Sequence, residues 1–144
     1  MHVSAVLKRK GRDVVTVHPT HSIAAVAEVL SRHRIGTVLV VDDLGHPAGV
    51  VSERDIVRLI ATEGPAALDR RTGDVMTHPV VTCAPSDTMS EVMAVMTERH
   101  IRHLPVMDGG ALVGMVSIGD AVKARLDDAE LEVDSMRTFV AGVR

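Results

Sequence analysis

Apolar residues along the chain fall into short β-branched runs separated by sets at helical spacing. Val14 to Val17 is a strand-forming run closed by Pro19. Ser22 stands as an N-cap before Ile23, Val26, Ala27, Val29 and Leu30, whose steps of three and four predict an amphipathic helix. Thr37 to Val41 is a continuous apolar strand, Asp42 to Gly45 a turn, and Ala48 to Val51 a second strand. A helix opening at Ser52 is predicted to carry Ile56, Val57, Leu59 and Ile60 inward. The order is β-α-β-β-α. It recurs as Val80 to Cys83, a helix from Thr88 to about His100, His103 to Met107, a turn at Asp108 to Gly110, Leu112 to Val116, and a helix from Ser117. Thr88 with Glu91 fits a capping box, which supports that helix start.

The recurrence is a duplication at the level of residues. Laid over Val80 to Gly109, the stretch Val14 to Asp43 gives identities at Val14/Val80, Val15/Val81, Thr16/Thr82, Pro19/Pro85, Val26/Val92, Val29/Val95, Ile35/Ile101, Val40/Val106 and Asp42/Asp108. With one loop residue removed, Gly49/Gly114, Val51/Val116, Ser52/Ser117, Asp55/Asp120 and Val57/Val122 also coincide. The fold class expected is therefore α+β with α/β-type repeats. Residues 1–61 form the first unit, with an N-terminal helical segment, and residues 62–78 a linker with a short helical turn near Val75 and Met76. Residues 79–125 form the second unit, and 126–144 a C-terminal helix. The near-continuous apolar strands read as covered on both faces, so the copies are expected to pack about a pseudo-two-fold axis with two equivalent clefts.

Composition narrows the function. The 144 residues carry a net charge of −3, and the apolar residues include 25 valines and 8 methionines against one aromatic, Phe139. An acidic balance without stacking rings speaks against nucleic acid as a partner. A single cysteine, Cys83, rules out a disulfide framework, suits a reducing compartment and reads as a buried thiol. No apolar run reaches the roughly 18 residues of a spanning helix, and Met1 to Arg12 lacks a signal-peptide core, so no membrane and a cytoplasmic location are expected. The eight histidines show no metal-ligand spacing, and no nucleophile elbow or triad is framed, so no metal and no catalysis are expected.

The repeated Gly-apolar-apolar-Ser-x-x-Asp carries a family resemblance. Gly49-Val50-Val51-Ser52-Glu53-Arg54-Asp55 and Gly114-Met115-Val116-Ser117-Ile118-Gly119-Asp120 resemble the signature of the CBS domain. Arg34 to Asp42 and His100 to Asp108 resemble that family's central strand, and the match covers roughly Met1 to Arg125. A tandem pair is a Bateman module. The resemblance implies a regulatory signal-transduction module that binds AMP, ADP, ATP, NAD or S-adenosylmethionine. It further implies that backbone at Thr37-Val38 and His103-Leu104 reads adenine, with Thr16 and Thr82 nearby, and that the module forms a disk-like homodimer.

The residues themselves suggest how. Ser52 and Ser117 stand at strand-to-helix junctions, where free N–H groups and the helix dipole favour a phosphate. Asp55 and Asp120 are placed to accept ribose hydroxyls, and Gly49 and Gly114 to let backbone approach a ligand. Without rings, Ile35, Val38, Ile101 and Leu104 must sandwich the purine. Ser-x-x-Asp is equally a local helix cap, and the two roles are compatible. The copies differ where repeat one has Glu53-Arg54 and Gly36-Thr37, and repeat two Ile118-Gly119 and Arg102-His103. Arg54, Arg102 and His103 are candidate phosphate or sugar contacts, and two unequal sites are expected.

Val122, Leu126, Ala129, Val133, Met136, Val140 and Val143 follow a heptad seam suited to helix-on-helix contact. The seam and the Val3, Val6 and Leu7 stripe are expected to build a homodimer, with Phe139 on the dimer or a partner surface. The function expected is a non-catalytic sensor of energy or redox state through an adenine nucleotide, acting in trans on an effector protein. The alternative is a constitutive dimeric scaffold with no ligand response.

Overall fold

The structure is a computed structural model that describes the backbone of residues 1–142 and the side chains of residues 1–137. The expectations placed on Phe139, Val140 and Val143 lie outside the described side chains. The chain divides into two compact units that do not follow chain order. One comprises residues 13–81 with 109–112, the other residues 1–12, 82–108 and 113–144.

In the unit of residues 13–81, β1 (Thr16–Val17), α2 (Ile23–His33), β2 (Thr37–Val41), β3 (Pro47–Ser52) and α3 (Glu53–Glu63) come after the first helix of the chain, α1 (Val3–Lys10). The sheet order is β1-β2-β3. Its first pair is parallel, with Thr16 opposite Leu39, and its second antiparallel, with Thr37 opposite Ser52 and an irregularity at Val40/Val41. β1 is shorter than the apolar run that predicts it, because only Thr16 and Val17 reach the β2 ladder. Ser22 Oγ caps α2 by accepting the Ala25 N–H at 3.1 Å, and the helix stops at Arg34, held left-handed at φ 53°. Val17, Ile23, Val26, Leu30, Val38, Val40, Val51 and Ile56 form the core between the sheet and the helices. The expected linker holds a 3₁₀ turn (Gly64–Asp69) and α4 (Thr72–Val75), tied back by the Thr72 hydroxyl, which donates to His21 O at 2.7 Å.

Two inward assignments on α3 are corrected. Ile56 is buried, but Val57 is 65% and Ile60 40% exposed. The apolar stripe of this helix is wider than the face its own unit covers, so helical spacing alone overcounts the core.

The other unit contains α1 (Val3–Lys10), α5 (Met89–Arg99), β4 (His103–Asp108), β5 (Ala111–Ser117) from Val113 onward, and α6 (Ile118–Gly142). The run ending at Cys83 is not a full strand. Cys83 alone bridges Val106 in parallel, its N–H donating to Pro105 O at 2.9 Å while its O accepts the Met107 N–H at 2.8 Å. Helix α5 is capped by the predicted box at Thr88 and Glu91, and ends left-handed at His100, φ 55°.

Helix α1, first in the chain, packs with the second repeat. The Val3 N–H donates to Asp87 O and the Ser4 N–H to Pro85 O, while the Met1 amino group, Arg9 and Lys10 pair with Asp128, Asp127 and Asp120 of α6. Val3, Val6 and Leu7 are buried. The expectation that this stripe builds a dimer is thereby corrected, since it is spent inside the chain's own core. On α6, by contrast, Val122, Leu126, Val133 and Met136 are 45–64% exposed.

Candidate functional site

Both Ser-x-x-Asp segments fold into the same junction. β3 ends at Ser52, whose extended backbone (φ −106°, ψ 161°) turns the chain into α3. Ser52 Oγ accepts the Asp55 N–H at 3.1 Å, and Asp55 Oδ2 accepts the Ser52 N–H at 2.8 Å. In the second copy Ser117 Oγ accepts the Asp120 N–H at 3.2 Å, and Asp120 Oδ2 accepts the Ser117 N–H at 2.9 Å. Each junction is thus a reciprocal capping box that satisfies two donors with no internal helix partner. In each, the carboxylate oxygen outside the box stays available to a hydroxyl donor.

Around the first junction the chain gathers most of the expected residues. Thr37 sits opposite Ser52 and Val38 opposite Val51 across the β2–β3 ladder. Gly36 precedes them, exposed, and its O accepts the Glu53 N–H at 2.9 Å. Arg54 is exposed, and Thr16 lies exposed on β1 opposite Leu39, one strand further from β3. Asp55 also lines an open cavity of about 260 Å³ with Ile23, Val51, Ile56, Leu59 and Val75, and no other expected site residue reaches it.

Around the second junction Arg102 O accepts the Ile118 N–H at 2.8 Å, matching the Gly36 to Glu53 bond. Ile101 and His103 are half-buried, Arg102 is exposed, and Thr82 lies exposed just before the Cys83 bridge. A residue without a local sequence signal completes this site. Lys10 Nζ donates to Asp120 Oδ2 at 2.7 Å and to Met115 O at 3.2 Å. Burial opposes ionisation of Asp120, but Lys10 and the Ser117 N–H outweigh it and hold the carboxyl below its ordinary range. Burial first, and then the Lys10 charge, lower the proton affinity of His103, so its imidazole is neutral at pH 7.

Two expectations are revised. Val38 and Leu104 are each 1% exposed, and Val38 is part of its unit's core. Their side chains do not face a ligand, which leaves Ile35 and Ile101, both half-buried, as the accessible aliphatic pair. The two glycines admit the chain's own side chains. A Cβ on Gly49 would stand 2.5 Å from Met76 Sδ, and one on Gly114 2.7 Å from Leu7 Cδ2.

Cys83 is partly buried, and desolvation followed by the Asp87 charge raises its thiol to about 11, as befits an unreactive packed cysteine. Among the described residues no helix is long and apolar enough to cross a membrane.

The comparisons bear on the family and the fold. A CBS-domain-containing protein from Agrobacterium tumefaciens is 45% identical with a TM-score of 0.80, over 86% of this chain and 92% of its own. A CBS domain protein from Pyrobaculum aerophilum, solved in complex with AMP, is 31% identical with a TM-score of 0.73, over 83% and 89%. A CBS domain pair in complex with 5′-methylthioadenosine and S-adenosyl-L-methionine is 25% identical with a TM-score of 0.75, over 90% and 98%. Three curated relatives are longer, the chain spanning 72%, 58% and 34% of their length. The CBS domain matches residues 3–62 and 73–127. With that match over most of its length, this chain is a member of the CBS-domain family, with two domains in tandem.

Proposed function

We propose that the chain is a regulatory module that binds an adenosine compound at its Ser–Asp junctions and performs no catalysis. The observation that carries this is the doubled junction, in which Ser52/Asp55 and Ser117/Asp120 hold the same geometry and each leaves a carboxylate oxygen for ribose hydroxyls. Relatives of matching fold were solved with AMP and with S-adenosyl-L-methionine, which supports the ligand class. AMP, ADP, ATP, NAD and S-adenosylmethionine all present the adenosine that this reading requires.

The apolar seam on α6 supports assembly as a homodimer, and binding would be relayed in trans to an effector protein in the cytoplasm. A useful relay needs a coupling of about 1–3 kcal/mol between ligand and effector. Titration of the nucleotide-free protein with AMP, ADP, ATP, NAD and S-adenosylmethionine tests the reading. At least one is expected to bind, and Asp55→Ala and Asp120→Ala, made separately, each to remove one site. Variants that bind as the wild type does would refute the ribose assignment.

A further inference from the structure

This inference rests on the reading that each Ser–Asp junction holds an adenosine compound, and concerns which compound each one takes. The junctions share one backbone scaffold, the bond from Glu53 N–H to Gly36 O in the first repeat and from Ile118 N–H to Arg102 O in the second. Around that shared bond the charges are inverted. In the first repeat Gly36 has no side chain and the Glu53 carboxylate lies over it, its Oε1 3.4 Å from where a Cβ would stand. Glu53 thus sets an acid at this bond, while Arg54 is exposed and Asp55 shares its cavity with Arg58.

In the second repeat Ile118 replaces the acid and Arg102 replaces the glycine. A further cation arrives from the N-terminal helix, where Lys10 sits on Asp120 and on Met115 O. Lys10 and Arg102 both bear electrostatically on the neutral His103, and so does Asp120. Two of the three Lys10 N–H donors are used by Asp120 and Met115, and the third is available to an incoming acceptor. Lys10 also balances the Asp120 charge, so the surplus at this junction is positive.

We propose that Lys10, with Arg102, makes the second junction select an adenosine carrying a phosphoryl group. Glu53 turns the first toward an uncharged or cationic adenosine compound. The two halves of one duplication thus read different chemical classes, and the N-terminal helix, through Lys10, is part of the second site.

The test titrates AMP, and separately uncharged 5′-methylthioadenosine, into the full-length chain. Amide resonances of residues 52–55 and 117–120 report each junction. AMP is expected to move the second set at lower concentration than the first, and 5′-methylthioadenosine the reverse. Lys10→Met should weaken AMP at the second junction about ten- to a hundredfold, the range of a charge-assisted hydrogen bond. Lys10→Arg should restore most of that affinity. Glu53→Lys, at an exposed position, should strengthen AMP at the first junction. If both compounds bind and these variants leave the ratio of the two affinities unmoved, charge selection is overturned and the sites stand. If neither compound binds the wild type, the site reading and this inference fall together.

Discussion

Seating of α1 on the second repeat is open to a quantitative test, because one contact joins two replaceable residues. Leu7 is 1% exposed, and a Cβ on Gly114 would stand 2.7 Å from its Cδ2 and 3.0 Å from its Cδ1. Leu7→Ala removes a fully buried side chain, at a cost of about 2–5 kcal/mol. For a chain of this length that lowers Tm by roughly 5–15 °C. Gly114→Ala alone forces a methyl into Leu7 and costs about 1–3 kcal/mol. In the Leu7→Ala background the methyl enters vacated space, and its cost should fall to near zero, helped by the roughly 0.5–1 kcal/mol that favours Ala over Gly within a strand. A double-mutant cycle followed by urea denaturation should therefore show a coupling of about 1–3 kcal/mol. Additivity within about 0.5 kcal/mol would refute the contact, and with it the placement of Lys10 beside Asp120.

Other consequences follow from single groups. The folded pKa of Asp120 is depressed, so its contribution to stability is present above the unfolded value of about 3.9 and is lost as pH falls through the folded one. The stability difference between wild type and Lys10→Met should accordingly shrink in acid, and a pH-independent difference would contradict the pairing. The His103 imidazole should titrate below about 6.5 by NMR, and an ordinary or raised value would contradict its burial beside Lys10. Cys83, lifted from 9.0 to about 11, should react with a thiol reagent about a hundredfold more slowly than an exposed cysteine at the same pH, and equal rates would contradict its packing. His100→Gly, at a left-handed helix end, should stabilise the protein by up to about 1 kcal/mol in thermal unfolding, and a destabilisation would contradict that end geometry.

What the sequence reveals, and what it conceals, divides by distance along the chain. Helices α2 and α5 and strands β2 and β4 are legible because their periodicity and caps are local, as at Ser22 and Thr88. The junctions are legible because duplication displays them twice. Val57 and Ile60 mislead because an apolar stripe states that a face is apolar and not that its own unit covers it. The roles of Gly49 and Gly114 depend on Met76 and Leu7, which lie 27 and 107 positions away. Lys10 reaches Asp120 across 110 positions, and no local spacing marks it. Its one trace is the basic end of α1, Lys8, Arg9 and Lys10, set against the acidic positions Asp120, Asp127 and Asp128.

The proposed role of the doubled Ser–Asp junction is to bind adenosine compounds. Its most direct test is a calorimetric titration of AMP into the nucleotide-free protein and into the Asp55→Ala and Asp120→Ala variants. Saturable binding by the wild type and loss of the main AMP site in Asp120→Ala are expected. Absence of heat at millimolar AMP, ATP, NAD and S-adenosylmethionine alike, from folded protein, would contradict it.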